Sequence, residues 1–97
     1  NPQLGHEQAG YRPAVVVSNN TFNNKASVTL ICPISNTKND YPLHIRLDSR
    51  TQTTGAVLCQ HVRAVDLSAR MYRFVEELPH DLLKQVIDVI TAEIEII

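Results

Sequence analysis

The sequence predicts a small α+β fold, in which short antiparallel strands form one strongly bent sheet or partly open barrel and an amphipathic helix follows them. Three observations support this fold class. The chain has 97 residues, 43% of them apolar, which is enough for one compact domain and too few for two. Up to residue 75, the apolar residues follow strand patterns. After residue 80, they recur at helical spacing.

Five segments have the apolar patterns of strands. Residues 13–17 form a continuous β-branched run, typical of a strand buried on both faces. Residues 27–34 alternate in polarity apart from Ile31, so Ser35 is predicted to point away from the core at the end of that strand. The remaining predicted strands cover residues 43–47, 56–62 and 70–75.

The segments between these strands are mostly polar. A loop that includes Phe22 to Lys25 is predicted after the first strand, and Asn36 to Asp40 form a second loop. Residues 63–68 are expected to form a turn or a short helical stretch.

The C-terminal segment has the pattern of one amphipathic helix. Pro79 stands near its first turn, and Asp81 is placed favourably against the helix dipole. The apolar residues at helical spacing are Leu82, Leu83, Val86, Ile87, Ile90 and Ile94. We therefore expect this helix to cover one side of the sheet.

The net charge of −1 conceals a strong asymmetry along the chain. Up to Val75, eight cationic side chains outnumber four anionic ones, whereas from Glu76 onward Lys84 alone faces six anions. The body is therefore basic and the C-terminal segment acidic. Because an anionic ligand responds to the local potential, a sequence pI near 6.4 does not exclude nucleic acid as a partner.

Several classes of protein are not indicated by the sequence. No apolar run approaches the roughly 18 residues of a membrane-spanning helix, and no signal peptide opens the chain, so we expect a cytoplasmic protein. Cys32 and Cys59 lack CxxC spacing and are expected to be buried free thiols. The four histidines show no ligand spacing, so neither a metal nor another cofactor is expected.

Residues 5–13, GHEQAGYRP, combine two glycines, a carboxylate and an arginine in a predicted loop that leads into the buried strand. With the following residues to Ser18, this segment resembles the signature of the MazF/PemK toxins, which are mRNA endoribonucleases of toxin–antitoxin systems. Further stretches agree in order, namely residues 32–35, 41–43, 55–58, 62–66 and 69–70. The resemblance covers nearly the whole chain.

The resemblance implies a homodimer of small barrels similar to SH3 or CcdB, neutralised by a MazE-like antitoxin. It also implies an additional first strand that ends in a proline like Pro2. Residues 1–97 are expected to form a single domain. The chain opens on Asn1 and Pro2, so we expect the natural protein to carry the additional strand upstream of them. Without that strand, the barrel would expose a sheet edge.

Metal-independent cleavage of RNA needs a base for the 2′-hydroxyl proton, cationic donors to the phosphorane and an acid for the departing 5′-oxygen. By its match to the family motif, Glu7 is the expected general base. Arg12 matches the arginine that binds the scissile phosphate and can act as the acid. Since a guanidinium stays protonated at neutral pH, we expect its main role to be the stabilisation of charge and proton donation to be secondary. Ser35 matches the hydroxyl that hydrogen-bonds this phosphate.

Further residues are expected to contact the single-stranded RNA along its backbone and bases. They are Gln8, Tyr11, Lys38, His61, Arg63 and Arg70.

The sequence departs from the family pattern in one place. Many relatives carry Asp-Gln or Glu-Gln where this chain has Gln60 and His61, and some use an Arg and an Asp at the positions of Leu58 and Gln60. The base is therefore Glu7, or a histidine such as His61 or His6, since imidazoles titrate near neutral pH. Two rival functions stay open, a CcdB-like inhibitor of DNA gyrase and a degenerate relative that only binds RNA or antitoxin.

Overall fold

The computed structural model describes residues 2–6 and 12–96, which form seven strands and two α-helices. The strands are β1 (Pro2–His6), β2 (Arg12–Val16), β3 (Thr29–Ser35), β4 (His44–Arg46), β5 (Ala56–Leu58), β6 (Arg63–Val65) and β7 (Tyr72–Glu77). The helices are α1 (Asn20–Ala26) and α2 (His80–Glu93), and two 3₁₀ turns cover Cys59–His61 and Leu67–Ala69.

The strands form one antiparallel sheet in the order β4-β5-β3-β2-β1-β7, and β6 also pairs with β3. β5 pairs with the C-terminal end of β3 and β6 with its N-terminal end. The first 3₁₀ turn connects β5 to β6. Together with α2, this bent sheet confirms the α+β fold class that the sequence predicted.

The sheet has an apolar cluster on each of its two faces. On the main face, Val15, Cys32, Ile34 and Val57 belong to the larger core, to which α2 contributes. The second face carries a smaller cluster, consisting of Ala14, Val16, Ile31 and Val65 with Leu67 of the second 3₁₀ turn packed against it. Ile31 therefore keeps the alternation of β3, because its side chain belongs to the second cluster.

α2 begins one residue after Pro79 and runs to Glu93, as the periodicity predicted. Leu82, Leu83 and Val86 are its buried residues, and they pack into the core of the main face. Within the described residues, neither helix has the length and apolar content needed to cross a bilayer.

The segment after β2 differs from the prediction of a loop. It forms α1, whose N-cap Asn19 accepts a hydrogen bond from the backbone N–H of Phe22 at 2.9 Å. The helix ends at Ser27, which adopts a left-handed backbone with φ of 60°. Ser18 holds α1 to the sheet, because its hydroxyl contacts the Asn23 amide oxygen and accepts from the Leu30 N–H.

Three further boundaries differ from the sequence prediction. Gly5 and His6 belong to β1 and pair with β2, although they were predicted to lie in a loop. The strand predicted over 56–62 ends at Leu58, where the first 3₁₀ turn begins. The segment 63–68 contains β6 as well as the start of the second 3₁₀ turn, because β3 extends far enough to pair with a second short strand.

The connection between β4 and β5 is fixed by ionic hydrogen bonds at both ends. Arg50 donates to Asp48 and to Asp81 of α2, at 2.8 Å in each case. The Glu76 carboxylate accepts from the backbone N–H groups of Gln52 and Thr53 and from the Thr53 hydroxyl, and these bonds, led by the one from the Thr53 backbone, hold the pKa of Glu76 below its ordinary value. The connection is thereby held against both α2 and β7.

Candidate functional site

Arg12 and Ser35 lie on neighbouring strands and point to the same face of the sheet. The observed register of β2 and β3 ends where Ala14 pairs with Pro33, and Arg12 and Ser35 each lie two residues beyond that last pair on their own strands. Residues two positions apart on a strand point to the same face of the sheet, and Ala14 belongs to the cluster on the second face. Both side chains therefore lie on the second face. As the alternation predicted, Ser35 points away from the main core that holds Ile34.

Both side chains are accessible and unengaged by the rest of the described chain. Arg12 is exposed and Ser35 is half-buried. Neither side chain makes a hydrogen bond or an ion pair with any residue in the ranges that the structure covers. A guanidinium and a hydroxyl with free donors, side by side on one face, can bind the oxygens of one phosphate.

The backbone at Ser35 is held by its neighbours on β5. Ser35 pairs with Ala56 of β5. Gly55, the residue before Ala56, has a φ of +116°. A Cβ atom at Gly55 would lie 2.5 Å from the Ser35 carbonyl oxygen. The absence of a side chain at Gly55 therefore permits the close approach that fixes the end of β3.

Two residues that were not assigned to the site join the same row of the sheet. Ala56 on β5 pairs with Arg46 on β4. On the other side, His6 on β1 pairs with Arg12 on β2 and with Tyr72 on β7. The row across the second face therefore includes Arg46 at one end and Tyr72 at the other. No local pattern could reveal this, because the strands are joined only by the register of the sheet.

Arg46 connects this row to the predicted loop over residues 36–40. Its guanidinium donates to the Thr37 carbonyl oxygen at 3.1 Å and lies 3.8 Å from the Asp40 carboxylate. Lys38, a predicted RNA contact, is exposed in this loop. Arg46 therefore positions the loop that carries Lys38.

The structure also shows a hydrogen bond between His44 and Gln60, which the sequence did not predict. The Gln60 Nε2 and His44 Nε2 atoms lie 3.1 Å apart, and the Tyr41 ring packs edge-on against the imidazole with centroids 5.2 Å apart. His44 Nδ1 and Gln60 Oε1 are buried without a hydrogen-bond partner in the described chain. His44 lies two residues before Arg46 on β4, so it faces the second face as well. The structure therefore places His44 on the same face as Arg46, held by Gln60.

The other predicted RNA contacts are distributed unevenly. Arg63 pairs with Ile31 of β3, so it lies on the second face, four residues along the strand from Ser35 and about 13 Å away. His61 is exposed at the end of the first 3₁₀ turn, and Arg70 is exposed after the second. The strand register brings neither of these two to the row of Arg12.

The remaining predicted site residues, Glu7, Gln8 and Tyr11, lie outside the described residues. The described residues on either side of that segment, His6 and Arg12, are paired across β1 and β2.

The thiols and potential metal ligands of the described chain form no site. Burial, helped by the neighbouring Cys59, raises the pKa of Cys32 to about 12, and burial also raises the pKa of Cys59 to about 11. These thiols stay protonated at neutral pH, so they are neither nucleophiles nor ligands. Residues 2–6 and 12–96 contain no group of three histidine, cysteine or acidic residues placed to hold a metal ion.

Sequence comparison relates this chain to toxins. Residues 1–93 match the family model of the PemK-like, MazF-like toxin of type II toxin–antitoxin systems. The chain is 30% identical over 90 residues to the endoribonuclease PemK of Escherichia coli, covering 89% of this chain and 68% of PemK. It is 36% identical over 69 residues to the endoribonuclease toxin MazF of E. coli K12, covering 71% of this chain and 61% of MazF.

Solved structures agree with this relationship. The MazE–MazF complex of Deinococcus radiodurans superposes with a TM-score of 0.86 at 26% identity, covering 95% of this chain and 89% of the matched chain. A mycobacterial endoribonuclease in complex with its cognate antitoxin superposes with a TM-score of 0.80 at 15% identity, covering 95% of this chain and 90% of that one, which shows the shared fold. The chain therefore belongs to the PemK-like, MazF-like toxin family of type II toxin–antitoxin systems.

Proposed function

We propose that this protein is a toxin that cleaves single-stranded RNA at a short specific sequence, without metal, leaving a 2′,3′-cyclic phosphate and a 5′-hydroxyl. The observation that carries the proposal is the placement of Arg12 and Ser35 on one face of neighbouring strands, where neither side chain has a hydrogen-bond partner among residues 2–6 and 12–96. The relatives named as endoribonucleases support the same activity. A gyrase inhibitor is not favoured, because these relatives carry the name of a nuclease.

The reaction requires that the ribose 2′-oxygen attack the neighbouring phosphorus while the bond from phosphorus to the 5′-oxygen breaks. In our proposal, Glu7 removes the 2′-hydroxyl proton, and the departing 5′-oxygen takes a proton from Arg12 or from a histidine such as His61. Arg12 donates to the phosphate oxygens as negative charge grows on the phosphorane, and Ser35 adds a hydrogen bond to the same group. DNA lacks the attacking hydroxyl, so only RNA is cut.

The support for Glu7 as the base is its match to the family motif and its place in the sequence. Glu7 is covalently joined to His6, and the His6 backbone pairs with Arg12. The alternative proton carriers are His6 and His61, whereas His44 is held by Gln60.

The fold and the charge also favour particular partners. An antitoxin with an acidic or amphipathic segment could cover Arg12, Arg46 and Arg63 on the second face and thus block RNA. We further propose a cytoplasmic homodimer. Its support on this chain is the exposed apolar surface of the edge strand β7 and the residue before it, where Met71 is 77% and Phe74 is 56% exposed.

The test is incubation of the purified protein with a long RNA in EDTA, followed by end analysis of the fragments. We expect specific fragments with cyclic phosphate ends. Arg12→Ala should lower kcat/KM by about 10²–10³-fold, as expected for loss of a donor to the developing charge. Lys84→Ala, on the exposed side of α2, is the control and should cut normally.

Two outcomes would refute this proposal. Cleavage by Arg12→Ala at the parental rate, in a variant with unchanged fold and assembly, would show that the assigned site is wrong. If the wild-type protein binds RNA but leaves it intact, the result would instead support a degenerate relative that only binds RNA. Gln60, which departs from the family pattern, is the residue that favours this rival.

A further inference from the structure

A polar groove of about 560 Å³ lies on the second face, beyond the Arg12 and Ser35 pair. The C-terminal half of α1 forms one wall through Asn23, Asn24 and Ser27. The second 3₁₀ turn and the residue before it form the other wall, and Tyr72 also lines the groove. The volume is within the range of sites for small molecules and single nucleotides.

Tyr72 belongs both to this groove and to the row across the second face that includes Arg12. It pairs with His6, which pairs with Arg12, so Tyr72 and Arg12 are two strands apart on the same face. Adjacent strands are about 4.8 Å apart, which places the two backbones about 10 Å from each other. Tyr72 is 49% exposed, so its ring is available for contact with a ligand.

The hydrogen-bonding groups of the groove select a base over a phosphate. Asp66 accepts from the backbone N–H and the hydroxyl of Ser68 at 3.0 and 2.6 Å, and both bonds end on Oδ1. These bonds lower the pKa of Asp66. Oδ2 and the Asn24 amide have no hydrogen-bond partner among the described residues. An ionised carboxylate repels phosphate and accepts from amino groups of bases.

We propose that the groove between α1 and the second 3₁₀ turn binds one nucleobase with an exocyclic amino group, which stacks on Tyr72 and donates to Asp66. The base belongs to the strand whose phosphate Arg12 holds, so the groove sets one position of the cleavage sequence. This assignment rests on the proposed endoribonuclease activity. Exposed aromatic rings beside basic residues are the usual means of holding single-stranded RNA.

The first experiment measures binding without cleavage. A substrate RNA with a 2′-deoxyribose at the cleavage position is titrated with the full-length protein and followed by fluorescence anisotropy. Tyr72→Leu should weaken binding by about 5- to 100-fold, the range expected for one lost base stack. Phe22→Leu, an exposed aromatic on α1 that does not line the groove, is the matched control and should bind like the wild type.

The second experiment sequences the 5′-hydroxyl ends of a transcript pool. Asp66→Asn keeps a side chain that can cap the 3₁₀ turn but replaces the carboxylate, so the preference at one position should be lost while the others persist. Asp88→Asn, on exposed α2, is the charge-matched control. In the wild type, inosine for a preferred guanosine, or purine riboside for a preferred adenosine, should weaken binding, and Asp66→Asn should abolish that difference.

Unchanged affinity and unchanged cleavage sequence in both groove variants would overturn the proposal. A shift of Tyr72→Leu from dimer to monomer in light scattering, with base preference intact, would also overturn it, because the groove would then be a protein interface. If the wild type cleaves no RNA, the proposed function fails separately, since the anisotropy experiment still reports whether the groove selects a base.

Discussion

Substitution of Gly55 by alanine tests whether the placement of Ser35 matters for cleavage. A Cβ at Gly55 would lie 2.5 Å from the Ser35 carbonyl oxygen and 2.9 Å from its carbonyl carbon. Both atoms are backbone, so no side chain can move aside. Relief to ordinary van der Waals contact requires a shift of roughly 1 Å in the backbone of Ser35 or Gly55.

The expected magnitudes follow from this geometry. A residue with a side chain at a φ of +116° costs about 1–3 kcal/mol, which lowers the Tm of a domain of this size by about 5–20 °C. A shift of about 1 Å in a group that contacts the reacting phosphate can cost about 100-fold in rate. We therefore expect Gly55→Ala to lower both Tm and kcat.

The assay combines thermal unfolding by circular dichroism with single-turnover cleavage of a defined RNA, at a temperature where each variant is folded. Thr54→Ala is the control, because it removes one exposed hydrogen bond, from the Thr54 hydroxyl to Asn36 at 3.1 Å, and adds no atom near Ser35. A Gly55→Ala protein with parental Tm would refute the steric argument. Lowered Tm with parental kcat would refute the role of Ser35.

Three further predictions concern stability and reactivity. The lowered pKa of Glu76 means that its contribution to stability is complete above the unfolded-state pKa near 4.5 and is lost as the pH falls through the folded-state value. Glu76→Gln should therefore flatten the loss of stability in acid-titrated denaturant melts, whereas Glu77→Gln should not. Because burial raises the pKa of Cys32 to about 12 and that of Cys59 to about 11, an aromatic disulfide reagent at pH 8 should label neither thiol until guanidinium unfolds the protein. Leu82→Ala should lower the free energy of unfolding by about 2–5 kcal/mol and leave kcat per folded molecule unchanged; a normal denaturation midpoint would contradict the packing of α2.

The fold was predictable where burial imposes a period on the sequence. The runs at 13–17 and 82–86 show their packing directly, because β2 is buried on both faces and α2 on one. Ile87 and Ile94, which belong to the same predicted helical stripe, are instead 39% and 77% exposed. α1 has no buried residue, so it leaves no periodic pattern, and its signals are the capping residues Asn19 and Ser27. β6 is short and partly exposed, and it is a strand only because β3 offers it a partner.

The candidate site was predictable only where its residues share a motif. Arg12 and Ser35 follow from the family resemblance, and the parity of β3 gives the direction of Ser35. Arg46 and Tyr72 enter the same row through pairings between distant strands. Likewise, His44 and Gln60 are 16 residues apart in sequence, and no spacing rule connects a histidine with a glutamine at that separation.

The charge asymmetry of the sequence becomes a spatial one in the fold. The acidic C-terminal segment is mostly α2, which packs against the main face, while Arg12, Arg46 and Arg63 project from the second face. Outside the groove around Asp66, these arginines therefore attract an anionic strand to the second face, although the net charge is only −1. This arrangement explains how a protein with a pI near 6.4 can bind RNA in one orientation, and it predicts that added salt weakens RNA binding to the second face.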